Sequence, residues 1–192
     1  MYGFLHMRAV VVFGMLLLLA SAQRTTAQRH RDPCRLLTDA EVRTVQGQAP
    51  AQKIASEQPA GSFRFTQCFY RTPELSSSVS VALGIPLTDS KRSGPRDYWQ
   101  AQFKRKERDE GQESDEKKNE PRRVAGLGDE AFWVGDPVTG ALYVLRGEVF
   151  LRVSVGGPAD QAEKIKHART LAIYALKRLD TGGPTARNRW QD

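Results

Sequence analysis

Apolar residues recur along this chain at two spacings. Every second position is the period that turns one side of a strand to a core, and every third or fourth is the period of a helix. Residues 62–72 alternate, with Phe63, Phe65 and Gln67 on one side and Arg64, Thr66, Cys68 and Tyr70 on the other. Residues 77–85 place Val79, Val81, Leu83 and Ile85 together, and residues 149–155 do the same with Val149, Leu151, Val153 and Val155, leaving Phe150 and Arg152 opposite. Shorter apolar runs predict strands from about Ala131 to Gly135 and from Ala141 to Arg146. The link at residues 73–76 is short enough for a hairpin, so the first two strands should pair antiparallel. The two-residue link Gly147-Glu148 suits a tight turn, with glycine where positive φ is needed.

Helices should separate these strands. Thr38-Asp39-Ala40-Glu41 has the form of a capping box, with Leu37 placed to staple onto Val42 and Gly47 to stop the helix at about Gln46. Residues 48–61 carry Pro50, Pro59 and Gly61 and read as a loop. A second helix should open at Ser93-Gly94-Pro95 and run to about Arg108 with an aromatic stripe containing Tyr98, Trp99 and Phe103. The third and longest should span residues 159–179, with Ala162, Ile165, Ala168, Ala172, Leu176 and Leu179 inward and Lys164, Lys166 and Lys177 outward. The expected fold is α+β: a mainly antiparallel sheet of about five strands with three helices packed on it.

The N-terminus alters where this domain is placed. Arg8, an apolar run of about 11 residues and Ala20-Ser21-Ala22 form a secretory signal over residues 1–22, too short for the roughly 20 residues of a membrane-spanning helix. No cysteine follows the cut before Gln23, so no lipid anchor is expected. The chain should be exported, to the periplasm or the medium. Residues 23–32 read as a flexible leader, residues 33–180 as a single domain, and residues 181–192 as a disordered tail. Residues 109–123 read as a charged, mobile loop.

Charge and cysteine count add two further points. The chain carries a formal charge of +7, but its 29 Lys and Arg are scattered among 22 Asp and Glu. That mixture argues for solubility and against a nucleic-acid partner, including in the charged stretch after Lys104. Cys34 and Cys68 are the two cysteines. An even pair in an exported chain predicts a disulfide; a metal site or a reactive thiol is the alternative, and no histidine lies near either residue.

Three segments carry a resemblance: residues 34–42 (CRLLTDAEV), Cys68-Phe69-Tyr70, and residues 126–132 (GLGDEAF). In order and spacing this set resembles the secreted bacterial domain of unknown function common among actinobacterial lipoproteins, related to mycobacterial envelope lipoproteins with a PsbP-like fold. The resemblance implies an α/β sandwich in which the joined cysteines tie the first helix to the first hairpin. It implies no catalytic residues.

Candidate chemistry is sparse. There is no G-x-S-x-G, H-E-x-x-H or phosphate-binding glycine loop, and no cofactor or metal is expected. Gly126 and Gly128 read as a turn, and the adjacent acids Asp129 and Glu130 point to opposite faces of a strand, so a cap or loop role suits them better than paired catalysis. His167 reads as a surface residue. On the second helix, neighbouring Tyr98 and Trp99 diverge by about 100°, so one should lie at an edge near Arg96, Lys104 and Lys106. There a ring beside cations could hold an anionic or sugar-like ligand; the alternative is that both rings are core. The favoured function is an exported, non-enzymatic binding or interaction module of the cell envelope, whose partner is such a ligand or another envelope protein. The alternative is an envelope hydrolase or other enzyme with acid residues unpaired by sequence.

Overall fold

The computed structural model describes residues 32–60, 63–86, 95–104, 120–135 and 140–182. The expected export signal, nearly all of the expected leader, most of the charged stretch and most of the expected tail lie outside those residues. The described part forms three helices, α1 (Asp39–Gln46), α2 (Pro95–Trp99) and α3 (Gln161–Gly182), and seven strands. These are β1 (Gln52–Ala60), β2 (Phe63–Arg71), β3 (Val79–Pro86), β4 (Arg122–Arg123), β5 (Glu130–Gly135), β6 (Gly140–Arg146) and β7 (Val149–Val155). A π-helical turn, Gln100–Lys104, continues α2.

All seven strands belong to one sheet in the order β1-β2-β3-β7-β6-β5-β4, with every neighbouring pair antiparallel. Two meanders are thus joined side by side where β3 meets β7. The α+β class is as expected, but the strand count is seven rather than about five. Both unforeseen strands are edges. The side chains of β1 from Gln52 to Pro59 are exposed on both faces. Its place comes from backbone pairing with β2, so its sequence needs no alternation and tolerates Pro59. The two exposed arginines of β4 close the other edge in the same way.

Local chemistry at α1 matches its sequence. The Thr38 hydroxyl accepts from the Glu41 N–H at 3.2 Å, the Glu41 carboxylate accepts from the Thr38 N–H at 2.8 Å, and Gly47 ends the helix at φ 76°. Leu37 and Val42 are both buried. The Cys34–Cys68 disulfide ties the short turn before α1 to β2, with Cα atoms 4.9 Å apart. Beside it the buried Tyr70 hydroxyl donates to the Pro33 carbonyl at 2.7 Å and accepts from the Leu37 N–H at 3.3 Å. Burial pushes that phenol far above its ordinary range.

One face of the sheet, under α1 and α3, is aliphatic. Val81, Leu83, Leu142, Val144, Leu151 and Val153 meet Leu171, Ala172 and Ala175 there. Arg178 on α3 bridges the helices, donating to the Leu36 carbonyl at 2.9 Å and to the Glu41 carboxylate at 2.8 Å. The expected stripe of α3 faces the core at Ala168, Ala172 and Leu176, with Ile165 and Leu179 packed beside it, but Lys164 is buried and Ala162 is exposed. Lys164 shares one side of the helix with Ala168, Leu171 and Ala175, at spacings of four, three and four, and the alanines let that side settle onto the sheet. Among the described residues no helix is long and apolar enough to cross a membrane.

Candidate functional site

On the opposite face, strand register sorts the side chains into rows. The first row runs Phe65–Gly84–Phe150–Leu145, and the second Gln67–Ala82–Arg152–Tyr143–Phe132. The third row runs Phe69–Ser80–Ser154–Ala141–Val134. α2 and its π turn lie over the aromatic end. Trp99 and Phe103, with ring centroids 4.4 Å apart, pack on Phe132 at 5.7 and 5.1 Å. Gly84 makes room for this layer, because a Cβ there would come within 2.9 Å of the Phe65 ring and 3.1 Å of Phe150.

Beyond the aromatic layer the same face holds a cleft of about 630 Å³. Ser80, Ser154 and Ala141 line it, with Phe69 at one side and Tyr143 and Val134 at the other. Ser76, Ser78, Gly156 and Gly157 form one end of the lining. Ser80 and Ser154 are directly paired across β3 and β7. Among the described residues neither hydroxyl oxygen, both buried, has a protein hydrogen-bond partner. Such a group ordinarily costs about 1–3 kcal/mol, so two side by side demand a reason. Arg152, two residues from Ser154 on the same face, has its guanidinium 5.8 Å from the Tyr143 ring centroid. Among the described residues it makes no ion pair. The floor of the cleft therefore holds two hydroxyls without a protein partner, closed to solvent in this conformation, beside one cation braced on an aromatic face.

The side chains singled out on the second helix lie elsewhere. Trp99 is 1% exposed, and its indole N–H donates to Glu130 at 2.9 Å, so this ring is core. Tyr98 is half-buried against Phe63 and Phe150, with centroids at 5.3 and 5.8 Å. Burial raises its phenol pKa, and Tyr143 adds to the shift. Arg96 is exposed and ion-paired with Asp129 at 3.1 Å. Lys104 ends the π turn, and its side chain lies outside the described residues. The helix thus serves as the lid of the aromatic layer, and none of these residues lines the cleft.

The adjacent acids have separate structural tasks. Asp129 accepts from the Gly147 N–H at 3.0 Å, fixing the β6–β7 turn, while Glu130 holds Trp99. Gly126 and Gly128 have φ of 73° and 56°, and a Cβ on Gly128 would lie 2.3 Å from the Leu145 carbonyl oxygen, so the turn requires glycine. His167 is half-buried on α3. Among the described residues no group of three or more His, Cys, Asp or Glu could hold a metal ion.

Sequence reasoning missed Ser80, Ser154 and Tyr143 as a site, and noted Arg152 only for its direction. A serine on the second side of a strand reads as facing solvent, and nothing local shows that two of them pair under a cleft. The available signal was weak: small residues at matching positions of three strands, visible only once the register of β3, β7 and β6 is known. No family model, curated protein or solved structure matches the chain.

Proposed function

We propose that this chain is an exported, non-enzymatic binding module of the bacterial cell envelope, and that its ligand occupies the cleft over Ser80 and Ser154. One observation carries the reading: a pair of buried hydroxyls lies beside an arginine, and among the described residues the hydroxyls have no protein partner and the arginine no counter-ion. Groups that lack partners in the free protein are poised to find them in a ligand. Among the described lining residues there is no histidine or carboxylate to act as a base on either serine. That favours holding a ligand over transforming it. Export is supported by the signal pattern of residues 1–22, and the Cys34–Cys68 bond suits an oxidising compartment. Membership of the secreted actinobacterial family with the PsbP-like fold is part of the same proposal. Its support is the three motifs, the antiparallel sheet and the link from the start of α1 to β2.

The test is native mass spectrometry of the protein recovered from the exported fraction of its own host. The expected species begins at Gln23 and carries a small-molecule adduct that leaves unchanged on mild activation, and Ser154→Val loses that adduct. A chain retaining residues 1–22 in the cytosolic fraction would overturn export. An adduct released as a cleaved product would overturn the non-enzymatic reading, and one retained by Ser154→Val would overturn the cleft.

A further inference from the structure

Resting on that reading, we propose that the cleft selects an acidic monosaccharide unit: a pyranose-type ring with hydroxyls for Ser80 and Ser154 and one carboxylate for Arg152. Three features of the lining narrow the chemistry to this class.

Charge comes first. Arg152 is the single cation among the described lining residues, and no described carboxylate neutralises it. A neutral sugar would leave the guanidinium without a counter-ion, and a phosphate monoester would bring more negative charge than one arginine can balance. A single carboxylate matches it and suits the planar, two-pronged donor geometry of a guanidinium. Tyr143, 5.8 Å away, braces the arginine without using its N–H donors.

Polarity comes second. Among the described residues the buried Ser80 and Ser154 hydroxyls have no protein partner, and a turn about χ1 to another staggered rotamer brings each to the cleft. An acyl chain laid across them would leave both unsatisfied, so a lipid tail is disfavoured. A ligand hydroxyl both donates and accepts, as a serine does, and a row of such groups satisfies the pair whichever way each proton points.

Shape comes third. Ser80, Ser154 and Ala141 are neighbours on three adjacent strands, a floor about 10 Å wide at the usual strand spacing. Three small side chains leave it low, while Phe69 and Val134 stand at either end of the row. A low polar floor between an aromatic ring and an aliphatic side chain accommodates one saturated ring, whose C–H groups rest against Phe69 and Val134 while its hydroxyls reach the floor. Arg152 lies one row away, about 7 Å along β7 from Ser154, which places the carboxylate at the margin of the ring and not beneath it.

The experiment titrates the oxidised full chain with D-glucuronate, D-glucose and glucose 6-phosphate, read by calorimetry and thermal shift. Glucuronate should bind at least about tenfold more tightly than glucose, and Arg152→Gln should erase that preference. Ser80→Val and Ser154→Val should weaken both sugars while raising the melting temperature of the ligand-free protein. Ser80→Thr and Ser154→Thr, which keep the hydroxyl, should retain binding. Tighter binding of glucose 6-phosphate, binding of none of the three, or a preference that survives Arg152→Gln overturns the acidic-sugar assignment. In each of these cases, loss of the native adduct from the serine-to-valine variants keeps the cleft itself in place. Serine-to-valine variants that are neither stabilised nor depleted of that adduct overturn both the sugar and the cleft.

Discussion

Two ends of one sheet face, built from the same strands, have opposite fates. Around Gly84 the rows carry Phe65, Phe150 and Leu145, and α2 adds Trp99 and Phe103 to seal them. Four residues away on β3 and β7 the rows carry Ser80 and Ser154, and a cleft remains. The hydrogen-bonded ladder is continuous through both, so backbone pairing does not distinguish them. Side-chain size and polarity do. Large rings recruit a lid because covering them removes apolar area from water, worth about 25 cal/mol per Å². Serines give a lid nothing to bury against, and covering them without partners would be unfavourable. An open, polar subsite is thus the part of this face that the apolar lid has no reason to close.

The strongest way to break the comparison is to remove the lid. Trp99→Ala should cost about 3–5 kcal/mol in denaturant unfolding, as expected for a deeply buried aromatic that also gives up its hydrogen bond to Glu130. A loss below about 1 kcal/mol would mean that the ring is no part of the core.

The disulfide sharpens the contrast between the two faces. Cys68 belongs to the aliphatic face, so opening the bond should loosen the start of α1 and leave the cleft residues untouched. The Cys34→Ser/Cys68→Ser double variant should lose about 3–4 kcal/mol, from the entropy of the loop it closes. Comparing its melting temperature and its ligand adduct with those of the oxidised chain separates the two effects.

The Arg178–Glu41 bridge supplies a smaller, pH-dependent test on that same face. Burial works against the Glu41 carboxylate, but hydrogen bonds from Arg178 and Thr38 outweigh it and hold its pKa below the ordinary carboxylate value. A carboxylate depressed in the folded state contributes stability that is present above its unfolded pKa and lost as pH falls through the folded one. Stability should therefore fall on acidification below about pH 4.5, and Glu41→Gln should flatten that part of the profile. At neutral pH, Arg178→Ala should cost about 1–2 kcal/mol, because the pair is only half-buried.

The smallest effect has the opposite sign. Ser80→Val or Ser154→Val should each stabilise the ligand-free protein by about 1 kcal/mol, replacing an unpartnered buried hydroxyl with a residue suited to strands. Chemical denaturation reads it directly. A destabilisation of similar size would show that the hydroxyls have partners in solution.

Much of this protein was determined by local sequence. Thr38, Glu41 and Gly47 set α1 whatever surrounds them, because a capping box and a left-handed stop close their hydrogen bonds within one short segment. Gly147-Glu148 sets the β6–β7 turn, and the alternation of Val149, Leu151, Val153 and Val155 sets which side of β7 is core. The even cysteine pair gave the disulfide. What the sequence left undecided depended on distant partners. β1 holds its place mainly through backbone pairing with β2, so its exposed side chains carry no period, and Lys164 on α3 is buried on the side that carries Ala168, Leu171 and Ala175. The choice between Trp99 and the cleft was likewise tertiary. Adjacent Tyr98 and Trp99 look equivalent along the chain until the helix docks and seals one of them against Phe132 and Glu130. Ser80 and Ser154 lie 74 residues apart in sequence and become a pair only when β3 and β7 join the two meanders. Periodicity is read within a strand, but a site of this kind is made between strands, by a register that the sheet fixes only when it assembles.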